Sequence, residues 1–265
     1  NAISPMFPAE LRSLSEKFPA ALPIEEIIGS TPAFRTALAI AAKIARARVA
    51  VHITGEAGSG KSLLAHAVHA AGNRGRAPFV EMDCAHFSQA MLGPQLFGHE
   101  RGAFAGAFER RTGDIARADG GTLVIDRIER LPLDVQAALA TFLENGIVTP
   151  VGGGASSHVD VRLIAMSEVD LAARAADGLF REDLLARIAI AEIRLPPLRE
   201  RRADIAPLAR HFAARIAAMQ AMQRTLQSLV HCCHGDQRPD CPILDDLAAA
   251  QDNGTTARKM PLLIQ

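Results

Sequence analysis

The eight residues Gly55–Ser62 carry the most specific chemistry in this sequence. They read GEAGSGKS and fit the pattern G-x-x-x-x-G-K-[ST], in which small residues let successive backbone N–H groups close around phosphate oxygens. Lys61 is expected to reach the terminal phosphates of a nucleotide, and the Ser62 hydroxyl is expected to ligate Mg²⁺. A glycine-rich turn with a chance lysine is the alternative, but an apolar run precedes the loop and a helical pattern follows it, as the motif requires. The predicted cofactor-binding residues are Gly55, Glu56, Ala57, Gly58, Ser59, Gly60, Lys61 and Ser62.

A second chemical position lies at the end of the apolar run Thr122–Asp126. An acid that ends such a run can hold the water shell of Mg²⁺ beside a phosphate-binding loop, so Asp126 is predicted to be a catalytic and metal-linked carboxylate. The next residue is Arg127, and a guanidinium does not act as a base at physiological pH. The expected cofactors are therefore ATP and Mg²⁺, at a site that lacks a water-activating carboxylate after Asp126.

The elements that must position these residues alternate between strand and helix patterns, which predicts a parallel sheet. A cap signal at Ser30-Thr31-Pro32 predicts a helix over Ala33–Arg48, and another helix is expected to start near Lys61. Residues 1–23 contain four prolines and are predicted to be a linker. Beyond the first strand, further strands are predicted over 78–84, 122–126, 159–166 and 188–195, and a helix is predicted from Arg202 to about Val230.

Composition limits the classes of function. The chain has 265 residues, of which 49% are hydrophobic, and this is ample for a sizeable core. Its 29 basic and 29 acidic residues cancel, so no overall field is expected to draw it to nucleic acid or to an anionic membrane. It has no apolar run long enough to span a membrane and no signal pattern at the start, which predicts a cytoplasmic protein.

Several phrases together resemble the AAA+ central domain of sigma-54-dependent transcription activators, the bacterial enhancer-binding proteins, over about residues 24–212. The most specific phrase is Leu96–Ala107, LFGHERGAFAGA, in which Gly102–Ala107 is similar to the family's sigma-contacting loop, usually written GAFTGA. Further similar phrases are GGTL at 120–123, DGLFREDL at 177–184 and LPPLRER at 195–201.

This resemblance implies an α/β fold, a P-loop AAA+ NTPase domain with a parallel sheet flanked by helices and followed by a helical tail. It implies sigma-54 RNA polymerase as a partner through Gly102–Ala107, with Phe104 as the aromatic tip, and a homo-oligomer. Carried over by motif, Arg181 and Arg187 are catalytic candidates that would be offered to the nucleotide of a neighbouring subunit. The alternative is that both are solvated surface cations.

Four sites, one of them a pair of residues, depart from the pattern that the resemblance implies. Asp83 stands where the family usually has asparagine, Arg127 where it has glutamate, Ser167-Glu168 where it has Thr-Asn, and Ala105 where it has threonine. An ion pair between Asp83 and Arg127 would be a self-consistent replacement. The phosphate-binding groups survive, which predicts retained nucleotide binding, impaired hydrolysis and a weakened sigma contact.

The C-terminal part follows a different pattern. The family's helical lid phrase is missing and no DNA-binding domain is recognised, whereas residues 213–249 resemble the dimer helix and metal loop of MerR-type regulators. Residues 213–265 are accordingly predicted to hold a MerR-like helix, a cysteine loop and a disordered C-terminus. Apolar residues at helical spacing from Ile216 to Leu229 form a seam suited to pairing with another helix, or to folding back on the AAA+ core.

The chain has four cysteines, and three of them lie within ten residues, which indicates a site and not a disulfide framework. Cys233 and Cys241 are the best pair for a soft metal ion, Cys232 with Cys241 is nearly as good, and a nearby histidine, His231 or His234, could assist. A vestigial tail that binds no metal is equally open. The fourth cysteine, Cys84, is expected in the core.

Three functions follow from these observations. The leading one is an ATP-binding transcriptional regulator with impaired hydrolysis, the second is an active ATPase that remodels sigma-54 RNA polymerase, and the third is a non-enzymatic metal-sensing or dimerising regulator.

Overall fold

A five-stranded parallel sheet lies at the centre of residues 24–232, the part of the chain that the computed structural model describes. The predicted N-terminal linker, Cys233, Cys241 and the predicted disordered C-terminus lie outside the described residues. The strands are β1 (Val51–Thr54), β2 (Phe79–Asp83), β3 (Gly98–His99), β4 (Arg111–Thr112), β5 (Thr122–Asp126), β6 (Ile147–Val148), β7 (Ser157–His158), β8 (Arg162–Ser167) and β9 (Ala191–Arg194). The order in the five-stranded sheet is β2-β5-β8-β1-β9, and β3–β4 and β6–β7 form two small antiparallel pairs.

Helices cover both faces of the sheet, so the predicted fold class, a parallel sheet flanked by helices, is confirmed. One apolar cluster includes Met82, Ile125 and Leu139, and the other includes Ile53 and Leu64. Strands β5 and β8 are almost completely buried, as expected of parallel strands covered on both faces. The helices are α1 (Pro32–Ile44), α2 (Lys61–Ala70), α3 (Gln89–Phe97), α4 (Asp114–Arg117), α5 (Leu133–Asn145), α6 (Leu171–Ala176), α7 (Glu182–Ile188) and α8 (Arg202–Cys232).

Tertiary contacts shift several element ends from their predicted positions. Helix α1 stops at Ile44, short of Arg48, because the buried Arg162 side chain donates to the carbonyls of Ile44 and Ala45 and caps the helix. The predicted strand 159–166 starts later, at Arg162, as β8. Val159 does not join it because its N–H bonds to the Gly146 carbonyl beside the β6–β7 pair. Ile188 belongs to α7 and not to the last strand.

Helix α8 has 31 residues, and its bounds confirm the helix predicted from Arg202 to about Val230. From Ile216 to Leu226 its large apolar side chains are exposed, including Met219 at 48% and Leu226 at 56%. This stretch of the helix is therefore not folded back on the sheet and its flanking helices, while the side chain of Leu229 lies outside the described residues. Among residues 24–232, every helix is too short or too polar to cross a membrane.

Asp204 ties the start of α8 to the start of α1. Its buried carboxylate accepts hydrogen bonds from the N–H and hydroxyl groups of both Ser30 and Thr31, at 2.6 to 3.2 Å. Burial alone would raise the pKa of Asp204, but these hydrogen bonds outweigh it and lower the pKa. The first turn of α8 is thereby fixed against the segment that precedes α1.

We expect Asp204→Ala to lower the free energy of unfolding by about 2 kcal/mol, because hydrogen bonds to a charged, buried acceptor are lost. Since the folded-state pKa is lowered, this contribution is present above the unfolded-state pKa of about 4 and is lost as the pH falls below it. Urea unfolding at pH 7 and at about pH 3 measures it. Asp134→Ala, at an exposed carboxylate, is the control, and equal losses for the two variants would contradict the assignment.

Candidate nucleotide-binding site

The register of the parallel sheet brings the ends of its strands together at one edge. Thr54 of β1 lies opposite Ser167 of β8 and Arg194 of β9, and Asp83 of β2 lies opposite Asp126 of β5. The loop after β1 therefore begins next to the residues that follow β5 and β8. Ligands of open parallel sheets bind in the crevice at this carboxyl edge.

Gly55–Ser62 joins β1 to α2 and has the backbone of an anion cradle. Gly58 and Gly60 have φ values of 74° and 98°, which favour glycine, and a Cβ at either would meet open space. Helix α2 begins at Lys61, so its free N–H groups and the positive end of its dipole face the same space. This geometry fits the phosphates of a nucleotide.

The Lys61 side chain is buried and turned inward over the loop. Its Nζ donates to the carbonyl oxygens of Gly55 and Glu56, at 2.9 and 3.1 Å, and lies 3.5 Å from Oε1 of Glu168. Asp126 and Ser62 line a cavity beside this loop, and burial there raises the pKa of Asp126. Lys61, Ser62 and Asp126 thus have the chemistry to hold the last phosphates and Mg²⁺.

The cavity beside this loop has a volume of about 620 Å³, which suits a small organic ligand. Its polar end holds the phosphate-loop residues and the side chains of Asp126, Arg127 and Glu168. Its other end is apolar, and α8 contributes a wall of it through residues up to Phe212. The apolar side chains from outside the phosphate loop and α2 are Ile27, Ile28, Phe34, Leu38, Leu198, Ile205, Leu208, Ala209 and Phe212.

The predicted ion pair between Asp83 and Arg127 is present. Nε of Arg127 donates to Oδ1 of Asp83 at 2.9 Å, and its Nη2 donates to Oδ2. Burial would raise the pKa of Asp83, but the hydrogen bonds and charge of Arg127, together with the Ala85 N–H, outweigh burial and lower it. The same ion pair raises the pKa of Arg127.

The backbone of Arg127 is also unusual. Arg127 is the one non-glycine residue of the described chain with a positive φ, 52°, and its N–H donates to Asp126. The position after Asp126 therefore presents a neutralised guanidinium.

Two arginines after β9 contact the phosphate loop, and sequence reasoning did not assign them this role. Arg199 makes a bidentate ion pair with Glu56, at 2.5 and 2.7 Å. Arg201 is buried, donates to the Ser59 carbonyl at 2.6 Å and places its guanidinium 4.3 Å from the centre of the Phe34 ring. Both belong to the LPPLRER phrase at 195–201, whose arginines have no local pattern that indicates a contact with the loop.

The chain matches the family described as the sigma-54 interaction domain over residues 27–194. The chain belongs to this family. It is 45% identical over 204 residues to the DNA-binding transcriptional regulator NtrC of Klebsiella pneumoniae, over 76% of this chain and 44% of that protein. It is 41% identical over 192 residues to the transcriptional regulatory protein FlbD of Caulobacter vibrioides, over 72% and 42%. This chain therefore spans less than half the length of either relative.

Among solved structures, the fold is similar to NtrX from Brucella abortus in complex with ATP. The TM-score is 0.71 at 25% sequence identity, over 94% of this chain and 59% of that chain. A structure of the same protein in complex with ADP gives the same TM-score at 24% identity.

The two arginines predicted to act on a neighbour's nucleotide lie apart from the cavity of this sigma-54 interaction domain. Arg181 precedes α7 and pairs with Asp183 at 2.6 Å, while Arg187 in α7 pairs with Glu144 at 2.9 Å. Neither side chain lines the cavity. Within one copy of the domain, they do not meet the predicted phosphate position.

The predicted sigma-contacting loop of this domain is a tight turn closed by a hydrogen bond of 2.7 Å from the Gly102 N–H to the Ala107 carbonyl. Ala105 is exposed, as expected. Phe104 is not a free tip, because its ring packs edge-on against His99 with ring centres 4.9 Å apart. Phe108, just after the turn, is instead 83% exposed.

The cysteines divide between core and tail. Cys84 is buried as predicted, and burial raises the pKa of its thiol to about 12. Cys232 is the last residue of α8, whereas Cys233 and Cys241 lie outside the described residues. Within residues 24–232 no group of three potential metal-ligating side chains is found. The soft-metal site stays a prediction.

We expect a double-mutant cycle of Asp83→Ala and Arg127→Ala to give a coupling free energy of about 1 kcal/mol, since the pair is bidentate but partly exposed. Urea unfolding of the parent, both single variants and the double variant measures it, and backbone effects at the left-handed residue cancel. The matched control is the cycle of Asp83→Ala with Arg130→Ala, an exposed arginine nearby. Equal coupling in the two cycles would contradict a specific ion pair.

Proposed function

We propose that this chain is an ATP-binding transcriptional regulator of the sigma-54 type that binds nucleotide at Gly55–Ser62 and hydrolyses it slowly. The observation that carries the proposal is the combination, in one cavity, of an open phosphate cradle with an arginine after Asp126. That arginine is held by Asp83, so neither side chain is free to take a proton from an attacking water.

The chain's own residues divide the binding of ATP between the two ends of the cavity. Backbone N–H groups of the loop and Lys61 would hold the phosphates, and the apolar end, with Phe34 and Phe212, would cover the base. Ser62 and Asp126 would hold Mg²⁺, which neutralises phosphate charge when bound. Arg201 would keep the loop in place by its bond to the Ser59 carbonyl.

Partners follow from surfaces outside the cavity. The turn Gly102–Ala107 would contact sigma-54 RNA polymerase, weakly because Ala105 offers no hydroxyl group. Arg181 and Arg187 would face a neighbouring copy in a homo-oligomer, which agrees with their position away from the cavity of their own domain. The relatives named as transcriptional regulators support a role in transcription.

The alternative of an active ATPase differs from this proposal only in turnover, so a turnover measurement separates the two. The alternative of a non-enzymatic metal-sensing or dimerising regulator has one observation in its favour. The exposed apolar side chains of α8, from Ile216 to Leu226, are suited to pairing with another helix.

We expect Lys61→Ala to abolish binding of ATP and ADP, because the buried ammonium group is the cation of the phosphate loop. Isothermal titration calorimetry of the full chain measures the affinities. Lys43→Ala, which removes an exposed lysine of α1, should bind as the parent does. Equal affinity of Lys61→Ala and the parent would show that the loop is not the binding site.

We expect the double variant Asp83→Asn/Arg127→Glu to hydrolyse ATP on the order of 10²-fold faster than the parent, because it places a carboxylate after Asp126. Phosphate release at saturating ATP measures turnover. The control is Asp83→Asn/Arg127→Ala, which removes the ion pair without adding a base and should stay slow. Parent turnover already equal to that of the Asn/Glu variant would overturn impaired hydrolysis and favour the active ATPase.

A further inference from the structure

The polar end of the cavity holds an unusual balance of charge around Lys61. Arg127 is neutralised by Asp83, and Arg201 is engaged with the Ser59 carbonyl and the Phe34 ring. Of the described arginines and lysines that line the cavity, Lys61 is thus the one left to meet a ligand's charge. It already has a carboxylate beside it, since Oε1 of Glu168 lies 3.5 Å from its Nζ.

The position of Glu168 is fixed by a buried strand end. The preceding Ser167 is fully buried, and its carbonyl accepts the Gly55 N–H at the start of the phosphate loop. The Ser167 hydroxyl donates to the Val169 carbonyl at 3.1 Å, so Nε2 of His52, 2.8 Å away, must be the donor to Ser167 Oγ. These bonds anchor the backbone that carries Glu168 against the phosphate loop.

Further negative charge surrounds this carboxylate. Glu129 Oε1 accepts the N–H of Glu168, at 3.4 Å, and the other oxygen of Glu129 is buried without a hydrogen-bond partner. Burial raises the pKa of Glu129, and the charges of Glu168 and Asp126 raise it further. A phosphate placed next to Lys61 would therefore meet two carboxyl groups that line the cavity, those of Asp126 and Glu168, in addition to one ammonium group, with Glu129 behind Glu168.

We propose that Glu168 competes with the terminal phosphate of a nucleotide for Lys61, so that the site prefers a nucleoside diphosphate over a triphosphate. The inference rests on the proposed binding of nucleotide at Gly55–Ser62. A triphosphate must displace Glu168 from Lys61 and then lie beside its charge. A diphosphate ends one group earlier and leaves more room between its last phosphate and the carboxylate. Repulsion between the Glu168 carboxylate and a terminal phosphate held beside it lowers the affinity for that nucleotide.

The test is calorimetric titration of the full chain with ADP and with ATP, without divalent metal, because Mg²⁺ would neutralise the phosphate whose repulsion is measured. The variants are Glu168→Gln and Glu168→Ala. Both remove the charge, but only glutamine offers an amide donor to the phosphate, so a shared effect reports the charge. Glu109→Gln, at an exposed carboxylate after the Gly102–Ala107 turn, is the matched control.

We expect the parent to bind ADP more tightly than ATP, and both Glu168 variants to raise the ratio of ATP affinity to ADP affinity on the order of tenfold. Glu109→Gln should leave the ratio unchanged. An unchanged ratio in both Glu168 variants, with ADP and ATP still bound, overturns the competition while leaving nucleotide binding intact. Absence of binding of either nucleotide to the parent overturns the proposed function, and the inference with it.

Turnover of ATP that is slower in Glu168→Gln than in the parent, with an unchanged affinity ratio, also overturns the competition, since Glu168 would then be a base and not a competitor. Thermal unfolding of each variant establishes that it is folded at the titration temperature.

Discussion

The parallel register of β5, β8 and β1 is the constraint on which the site depends. Parallel strands end at the same edge of a sheet, so the residues after each strand meet in space although they lie far apart in sequence. Asp126 ends β5, Glu168 follows β8 and the phosphate loop follows β1. A shift of one residue in any of them would turn its buried side chains toward the opposite face. Packing of the two apolar clusters therefore also fixes the positions of the charged groups at the strand ends.

Charges at this edge are balanced in pairs, and each pair joins two different segments. Asp83 and Arg127 join the ends of β2 and β5, Glu56 and Arg199 join the phosphate loop to the chain after β9, and Lys61 meets Glu168 after β8. Pairing of this kind lowers the cost of placing several ionic groups near a partly buried cavity. A substitution that adds or removes a charge in one segment therefore also changes the charge balance of the segment with which it is paired.

Sequence reasoning predicted the parts that depend on local pattern or on one register. The glycine loop and the strand that ends at Asp126 were predicted from local pattern, and the ion pair between Asp83 and Arg127 was predicted from the family resemblance. The apolar end of the cavity was not, because Ile27 and Phe212 come from segments that meet only in the folded chain. The contact between Phe104 and His99 was not predicted either, since spacing alone does not show that the two rings meet.

Helix α8 has a mechanical consequence. It starts at the Asp204 clamp, lines the cavity with its first turns and continues unbroken to Cys232, a length of ~46 Å at 1.5 Å per residue. Because the helix is this long, a tilt of about 10° at the cavity would move its far end by roughly 8 Å. Pro207, near the start of the helix and beside the cavity, removes one backbone hydrogen-bond donor, so the helix bends most easily there. A small change in how the cavity is filled would thus become a large displacement of the surface at the end of the helix.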